Sequence, residues 1–170
     1  MSSIDARFER LYSNLRRVAH RTLGWNHEDG VHQPTALLHD AYLRVRDLDE
    51  AKFDSDRDFA LYLAATMRNL LLDAARKRAR QERLLPRADV VLDEIESERP
   101  WGVDGFLDFD SALEKMRQQD EKLFEVVHLR VFLGLSMKEI AVHLDRPLRT
   151  VELHWRLGKS CLTMICRQSP

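Results

Sequence analysis

Along almost the whole chain, apolar residues recur three and four positions apart, and no stretch alternates apolar with polar residues for long. Spacing of three and four gathers side chains on one face of an α-helix, whereas a half-buried strand needs a period of two. With only 6 glycines and 5 prolines in 170 residues, that periodicity predicts an all-α fold. A first helix is expected from about Asp5 to Leu23, with Phe8, Leu11, Leu15 and Val18 on one face. A polar loop follows, from Gly24 to about Gln33. The second helix opens at Pro34, a residue suited to a first helical turn, and runs to about Leu48. The third runs from about Arg57 to Leu84, with a stripe of Phe59, Leu63, Met67, Leu70, Leu71 and Ala74.

The segment from Pro86 contains Pro100, Gly102 and Gly105 and lacks sustained periodicity, so it reads as a linker. A second helical group is expected from near Phe109 almost to the end. The expected organisation is two small helical domains, residues 1–85 and 107–170, joined by an acidic linker, residues 86–106. Net charge is −1, so it is the distribution of charge that carries information. Arg68, Arg76, Lys77, Arg78, Arg80, Arg83 and Arg87 face only Asp73 and Glu82, and the next stretch, to Asp110, is acidic apart from Arg99. A nucleic-acid surface beside a segment of different duty fits this, and so do two solvated surfaces of opposite sign.

Several function classes are disfavoured. There is no glycine-rich phosphate loop, no H-E-x-x-H and no nucleophile elbow, so neither an enzyme nor a cofactor is expected. His27, Glu28, Asp29 and His32 cluster in the first loop, but their spacing is loose and no cysteine joins them. An exposed polar loop is the better account of them, and no metal is expected. Cys161 and Cys166 fall on different faces of a helix, which argues against a disulfide between them. No signal-peptide core and no membrane-length apolar run is visible, so a cytoplasmic location without a membrane partner is expected.

Two helices carry more specific signals. Ser136 and Glu139 form the S-x-x-E pattern of a capping box, which starts a helix at Met137 whose inward residues are Ile140, Ala141 and Leu144. Asp145, Arg146 and Pro147 break it. A second helix from about Leu148 has the stripe Leu148, Val151, Trp155, Gly158 and Leu162, where Gly158 would allow close helix approach. Cap, turn and one-faced stripe together predict a DNA-binding helix-turn-helix, with a plain helical hairpin as the alternative. Its outward face carries Arg149, Thr150, Leu153 and Arg156, flanked by Glu152 and His154. Such side chains read a major groove: Arg on guanine, Thr by hydrogen bond or methyl contact, Leu on a thymine methyl.

In the second helix, Leu37, Leu38, Ala41, Tyr42, Val45 and Leu48 form the core stripe. The opposite side carries Ala36, His39, Asp40, Leu43 and Asp47, with Arg44 at the edge. An apolar Leu43 inside a charged rim suits protein docking, although a single exposed leucine is also common.

The stretch LRVFLGLSMKEIAVHLDRPLRTVELHW resembles the C-terminal domain of extracytoplasmic-function sigma factors, which reads the minus-35 promoter element. QPTALLHDAYLRV and FALYLAATMRNLLLDAARKRAR resemble their N-terminal domain, and QPTAL with Trp155 points to one branch of the family. The resemblance covers nearly the whole chain. It departs at Asp145-Arg146-Pro147, where a glycine-containing turn is usual; at Glu152, where a basic residue is common; and at Gly158, where alanine is usual.

The resemblance implies partners: core RNA polymerase on the Leu43 face, promoter DNA, and either an anti-sigma factor or a Ser/Thr kinase as regulator. It implies that Phe53 and Asn69 help form a pocket for a flipped minus-10 base. Arg68, Arg76, Lys77 and Arg80 would then hold phosphates. Phe53 as a core anchor and Asn69 as an ordinary surface residue stay open. Thr35, at the start of the second helix, is a candidate phosphorylation site or a cap. The family's acidic linker would thread the polymerase's RNA path, whereas the residues themselves indicate only a tether. Two other readings remain: a dimeric helix-turn-helix regulator that does not bind polymerase, and a helical adaptor.

Overall fold

The computed structural model describes residues 3–23, 34–49, 52–81 and 103–168, and among them all regular structure is helical. The first pair of helices is α1 (Ser3–Leu23) and α2 (Pro34–Arg46), packed on each other. Phe8, Leu11, Leu15 and Val18 of α1 are buried, as are Leu37, Leu38, Ala41 and Val45 of α2. Tyr42 fixes the pair further. Its hydroxyl donates to Asp5 Oδ1 at 2.9 Å and its ring tilts against Phe8 with centroids 5.3 Å apart. α2 ends two residues before the expected Leu48, which leaves Asp47 in the following turn, bonded to Arg46 Nε at 2.9 Å.

The long helix α3 (Asp56–Gln81) starts at a reciprocal cap. Ser55 Oγ accepts from the Asp58 amide at 3.1 Å and donates to Asp58 Oδ2 at 2.7 Å. The expected stripe of Phe59, Leu63, Met67, Leu70, Leu71 and Ala74 is buried, and so are Ala60, Ala64, Leu72 and Ala75 outside it. A helix apolar on several sides is one covered on several sides.

The cover comes from the second helical group: α4 (Val103–Gln119), α5 (Glu121–Leu133), α6 (Met137–His143) and α7 (Leu148–Gln168). α4 begins at Val103, inside the segment read as linker, and the rest of that segment lies outside the described residues. Asp120 divides α4 from α5, its Oδ1 accepting from the amides of Lys122 and Leu123 at 2.9 and 3.1 Å. This break is not marked by glycine or proline; it falls within six consecutive polar, exposed residues, Arg117 to Lys122. In α5, every residue from Phe124 to Leu129 and from Val131 to Leu133 is buried.

The two helical groups pack directly on each other. α3 lies against α4 and α5, α1 also touches α5, and the buried residues of both groups form one core. The reason is compositional. α5 is buried on nearly every side, and α3 keeps one polar outer side but is apolar on the others, so each covers the other.

α5 closes with Gly134 at φ 66°, where a side chain would be strained and a Cβ would meet Val18 Cγ2 of α1 at 3.0 Å. α6 opens at Ser136 with both bonds of the capping box, the Ser136 amide to Glu139 Oε2 at 2.7 Å and the Glu139 amide to Ser136 Oγ at 3.3 Å. Burial opposes the Glu139 charge, but the hydrogen bonds from Ser136 outweigh it and hold the carboxyl below its ordinary pKa. Between α6 and α7, Asp145 takes φ 49°, the left-handed conformation that a turn glycine would otherwise supply.

Candidate functional site

Two outward surfaces and one internal contact carry the candidate residues. On α2, the core residues face α1 and α3, and Ala36, His39, Asp40, Leu43 and Arg44 are exposed on the other side. Leu43 keeps 37% of its surface accessible, high for a leucine on a helix whose other leucines are buried. Thr35 is exposed within the first turn of α2. It is the second residue of the helix, two positions past the N-cap.

On α7, Val151, Trp155, Gly158 and Leu162 are buried against the body of the protein. Gly158 is there because α7 comes very close to α5: a Cβ would lie 2.6 Å from Val127 Cγ2. The opposite face presents Arg149, Glu152, Leu153 and Arg156 to solvent, with Thr150 and His154 half-buried at its edges. Leu153 and Leu157 are 43% and 49% exposed, one turn apart, so the face is apolar as well as charged. Pro147 sets the helix start, its carbonyl accepting from the Thr150 and Val151 amides at 2.9 and 3.1 Å.

The residues expected to handle a minus-10 strand are divided by the structure. Asn69, Arg76, Lys77 and Arg80 are exposed along the outer side of α3. Phe53 is not. It is a buried anchor of the loop, edge-on to Phe59 and Tyr62 at 5.4 Å each, because an aromatic ring in so short a connection finds the apolar first turns of α3 before it finds water. Arg68 is also withdrawn. Its Nε donates to Asp110 Oδ1 at 2.5 Å and its Nη2 reaches Glu114 Oε2 at 3.4 Å, both on α4. The Arg117 hydrogen bond, with Arg68 adding to it, holds the Glu114 carboxyl below its ordinary pKa despite partial burial.

Glu125 was not anticipated from the sequence. It is a buried carboxylate in the middle of α5, and its two oxygens are taken separately. Oε1 accepts from Arg57 Nη2 at the start of α3, and Oε2 accepts from Arg146 Nη2 in the turn before α7. The signal was present: a lone acid inside the apolar run Phe124–Leu133 must be paired, since an unpaired buried charge is too costly. Two turns away along α3 from Arg57 toward Arg68, the same interface holds His128, its ring between Phe124 and Phe132 at 4.7 and 5.1 Å. Burial, and then the nearby Arg68 charge, push its pKa down to about 4.

Among the described residues no group of His, Cys, Asp and Glu could hold a metal ion, and the His27, Glu28, Asp29 and His32 cluster lies outside them. No described helix is long and apolar enough to cross a membrane. A family model described as ECF sigma factor matches residues 2–166. Searches of curated proteins and of solved structures returned no significant match.

Proposed function

The chain belongs to the ECF sigma factor family, whose members direct core RNA polymerase to promoters and are initiation factors rather than enzymes, and on that premise we propose how its surfaces divide the work. The exposed face of α2, centred on Leu43 and rimmed by Ala36, His39, Asp40, Arg44 and Asp47, docks on core polymerase. The observation that carries this is the exposure of Leu43 at the centre of a charged face. An apolar centre inside a polar rim is the anatomy of a docking surface.

α6 and α7 act as a helix-turn-helix on the minus-35 element, with Arg149, Thr150, Glu152, Leu153, His154 and Arg156 toward the major groove. Leu157 extends that face. Asn69, Arg76, Lys77 and Arg80 meet the minus-10 strand, and Arg68 joins them when its partners on α4 release it. Phe53 supports this surface from beneath rather than stacking on a base. Residues 1–85 and 107–170 are the two functional halves, with residues 86–106 between them. The QPTAL stretch assigns the chain to one branch of the family, and a cytoplasmic place of work follows from its polymerase partner.

A regulator, either an anti-sigma factor or a Ser/Thr kinase acting at Thr35, completes the reading. Exposure of Thr35 in a helical first turn supports the kinase, since phosphate is favoured there. Equal transcription by Thr35→Glu and Thr35→Ala variants would remove it.

The test of the α2 assignment is Leu43→Glu. Its melting temperature should match the parent, while its affinity for core polymerase and its run-off transcription fall tenfold or more, the effect of losing about 1.4 kcal/mol at an interface centre. Unchanged core binding by a folded Leu43→Glu variant sinks the assignment.

A further inference from the structure

The C-terminal tip of α5 gathers positive charge from three helices. α1 passes the turn between α5 and α6 so closely that a Cβ on Gly134 would meet Val18 Cγ2 at 3.0 Å and the Asn14 carbonyl at 3.4 Å. Arg17 and Arg21 lie on this stretch of α1, one helical turn and about 6 Å apart along the axis. Arg130 meets them from the last turn of α5. Lys138, four residues beyond Gly134, is exposed in the first turn of α6.

Each guanidinium is oriented by a neutral oxygen. Arg17 Nη2 donates to Asn14 Oδ1 at 2.6 Å, Arg21 Nη2 to the Val131 carbonyl at 3.3 Å and Arg130 Nη1 to the Leu135 carbonyl at 2.7 Å. Such bonds fix the planar head without cancelling its charge, and a guanidinium has five donors to offer. The charges act on one another: burial, and then Arg130 and Arg17, push the Arg21 pKa below its ordinary value. Glu139 lies within the field of Arg17, but its Oε2 is taken by the Ser136 amide in the capping box. A fold that gathers like charges at one turn gains from an anion placed among them.

We propose that Arg17, Arg21, Arg130 and Lys138 form a binding site for a compact polyphosphate group, free or carried on a nucleotide. Guanidinium forks pair with phosphate oxygens through parallel hydrogen bonds. Three forks converging on one turn match a ligand with many oxygens on neighbouring phosphorus atoms. Arg21 and Arg130 are half-buried while Arg17 and Lys138 are exposed, so the charge is partly recessed. A small anion can reach recessed groups, whereas the phosphates of a duplex are strung along a surface. None of these four residues belongs to the polymerase or promoter faces described above, so the site stands or falls independently of those assignments.

The test is isothermal titration of the full chain with sodium tripolyphosphate at low salt, without divalent metal. The parent should bind the anion saturably, and its melting temperature should rise as the anion is added. Arg17→Gln and Lys138→Gln change exposed side chains on different helices. Each should weaken binding about tenfold, the scale of one charge-assisted contact. Lys122→Gln removes the same charge at the opposite end of α5 and should leave binding unchanged. ATP, added without metal, tells the two sources apart. Displacement of tripolyphosphate supports a site that admits a nucleotide, and no displacement supports one that takes the free anion.

Absence of saturable tripolyphosphate binding by the parent overturns the inference. So does an equal loss from Arg17→Gln, Lys138→Gln and Lys122→Gln, which is a general attraction of anion to cations. A mixed-sequence duplex should bind parent and Arg17→Gln alike. A duplex affinity that falls tenfold in Arg17→Gln, with tripolyphosphate affinity unchanged, makes Arg17 a backbone contact and overturns the compact-ligand assignment.

Discussion

Gly158 shows how much one missing side chain decides here. It is the only stripe position on α7 without a Cβ, and α5 uses the space: Val127 Cγ2 would stand 2.6 Å from an added methyl. Gly158→Ala, normally a favourable change inside a helix, should instead destabilise the chain by about 1–3 kcal/mol through overpacking. Denaturant midpoints of the two proteins check this, and an unchanged or higher midpoint would mean that Val127 yields freely. Glu125 is a second residue whose identity is set by its neighbours. It is buried with an arginine on each oxygen. Its presence in an apolar helix was visible in the sequence, but its partners, 68 and 21 positions away, were not.

At the scale of elements, local chemistry was highly legible. α6 starts at the predicted cap, α7 starts at Leu148, and the stripes of α1, α2, α3 and α7 are the buried faces. Each of those depends on contacts within a few residues. Ser136→Ala tests one of them: it removes the side-chain acceptor for the Glu139 amide, and should cost about 1 kcal/mol of stability. Because α6 precedes the turn that orients α7, the same variant should weaken duplex promoter binding more than single-strand binding, measured by anisotropy with each. Equal losses on both would place the effect in the whole fold instead. The boundary at Asp120 was missed for a related reason. A single capping aspartate divides α4 from α5 without any glycine or proline, inside a polar run from Arg117 to Lys122 that a solvated helix face could also supply.

At the scale of the whole molecule, the two halves titrate as one body through His128. It sits at the contact of α3 and α5, where burial and Arg68 hold its pKa at about 4. An unfolded histidine takes up a proton near pH 6.5, so between pH 6.5 and about 4 the unfolded chain binds more protons than the folded one. Stability is therefore complete above that window and falls as pH drops through it, by up to about 3 kcal/mol for a group this enclosed. Urea unfolding from pH 7.5 to 4 should show this slope, and His128→Leu should flatten it. Parallel slopes in the two proteins would show that His128 is not the group responsible.

The sequence by itself determined the helices, their inward faces and the candidate outward residues, because periodicity, caps and turn chemistry act over a few positions. It also contained the family resemblance that the family match supports. Only the tertiary structure decided that Phe53 is an anchor, that Arg68 is held by Asp110 and Glu114, and that Arg57 and Arg146 share Glu125. Those outcomes depend on which face of α3 meets α5. Both helices are apolar on more than one side, so their sequences state that they must be covered without stating by what.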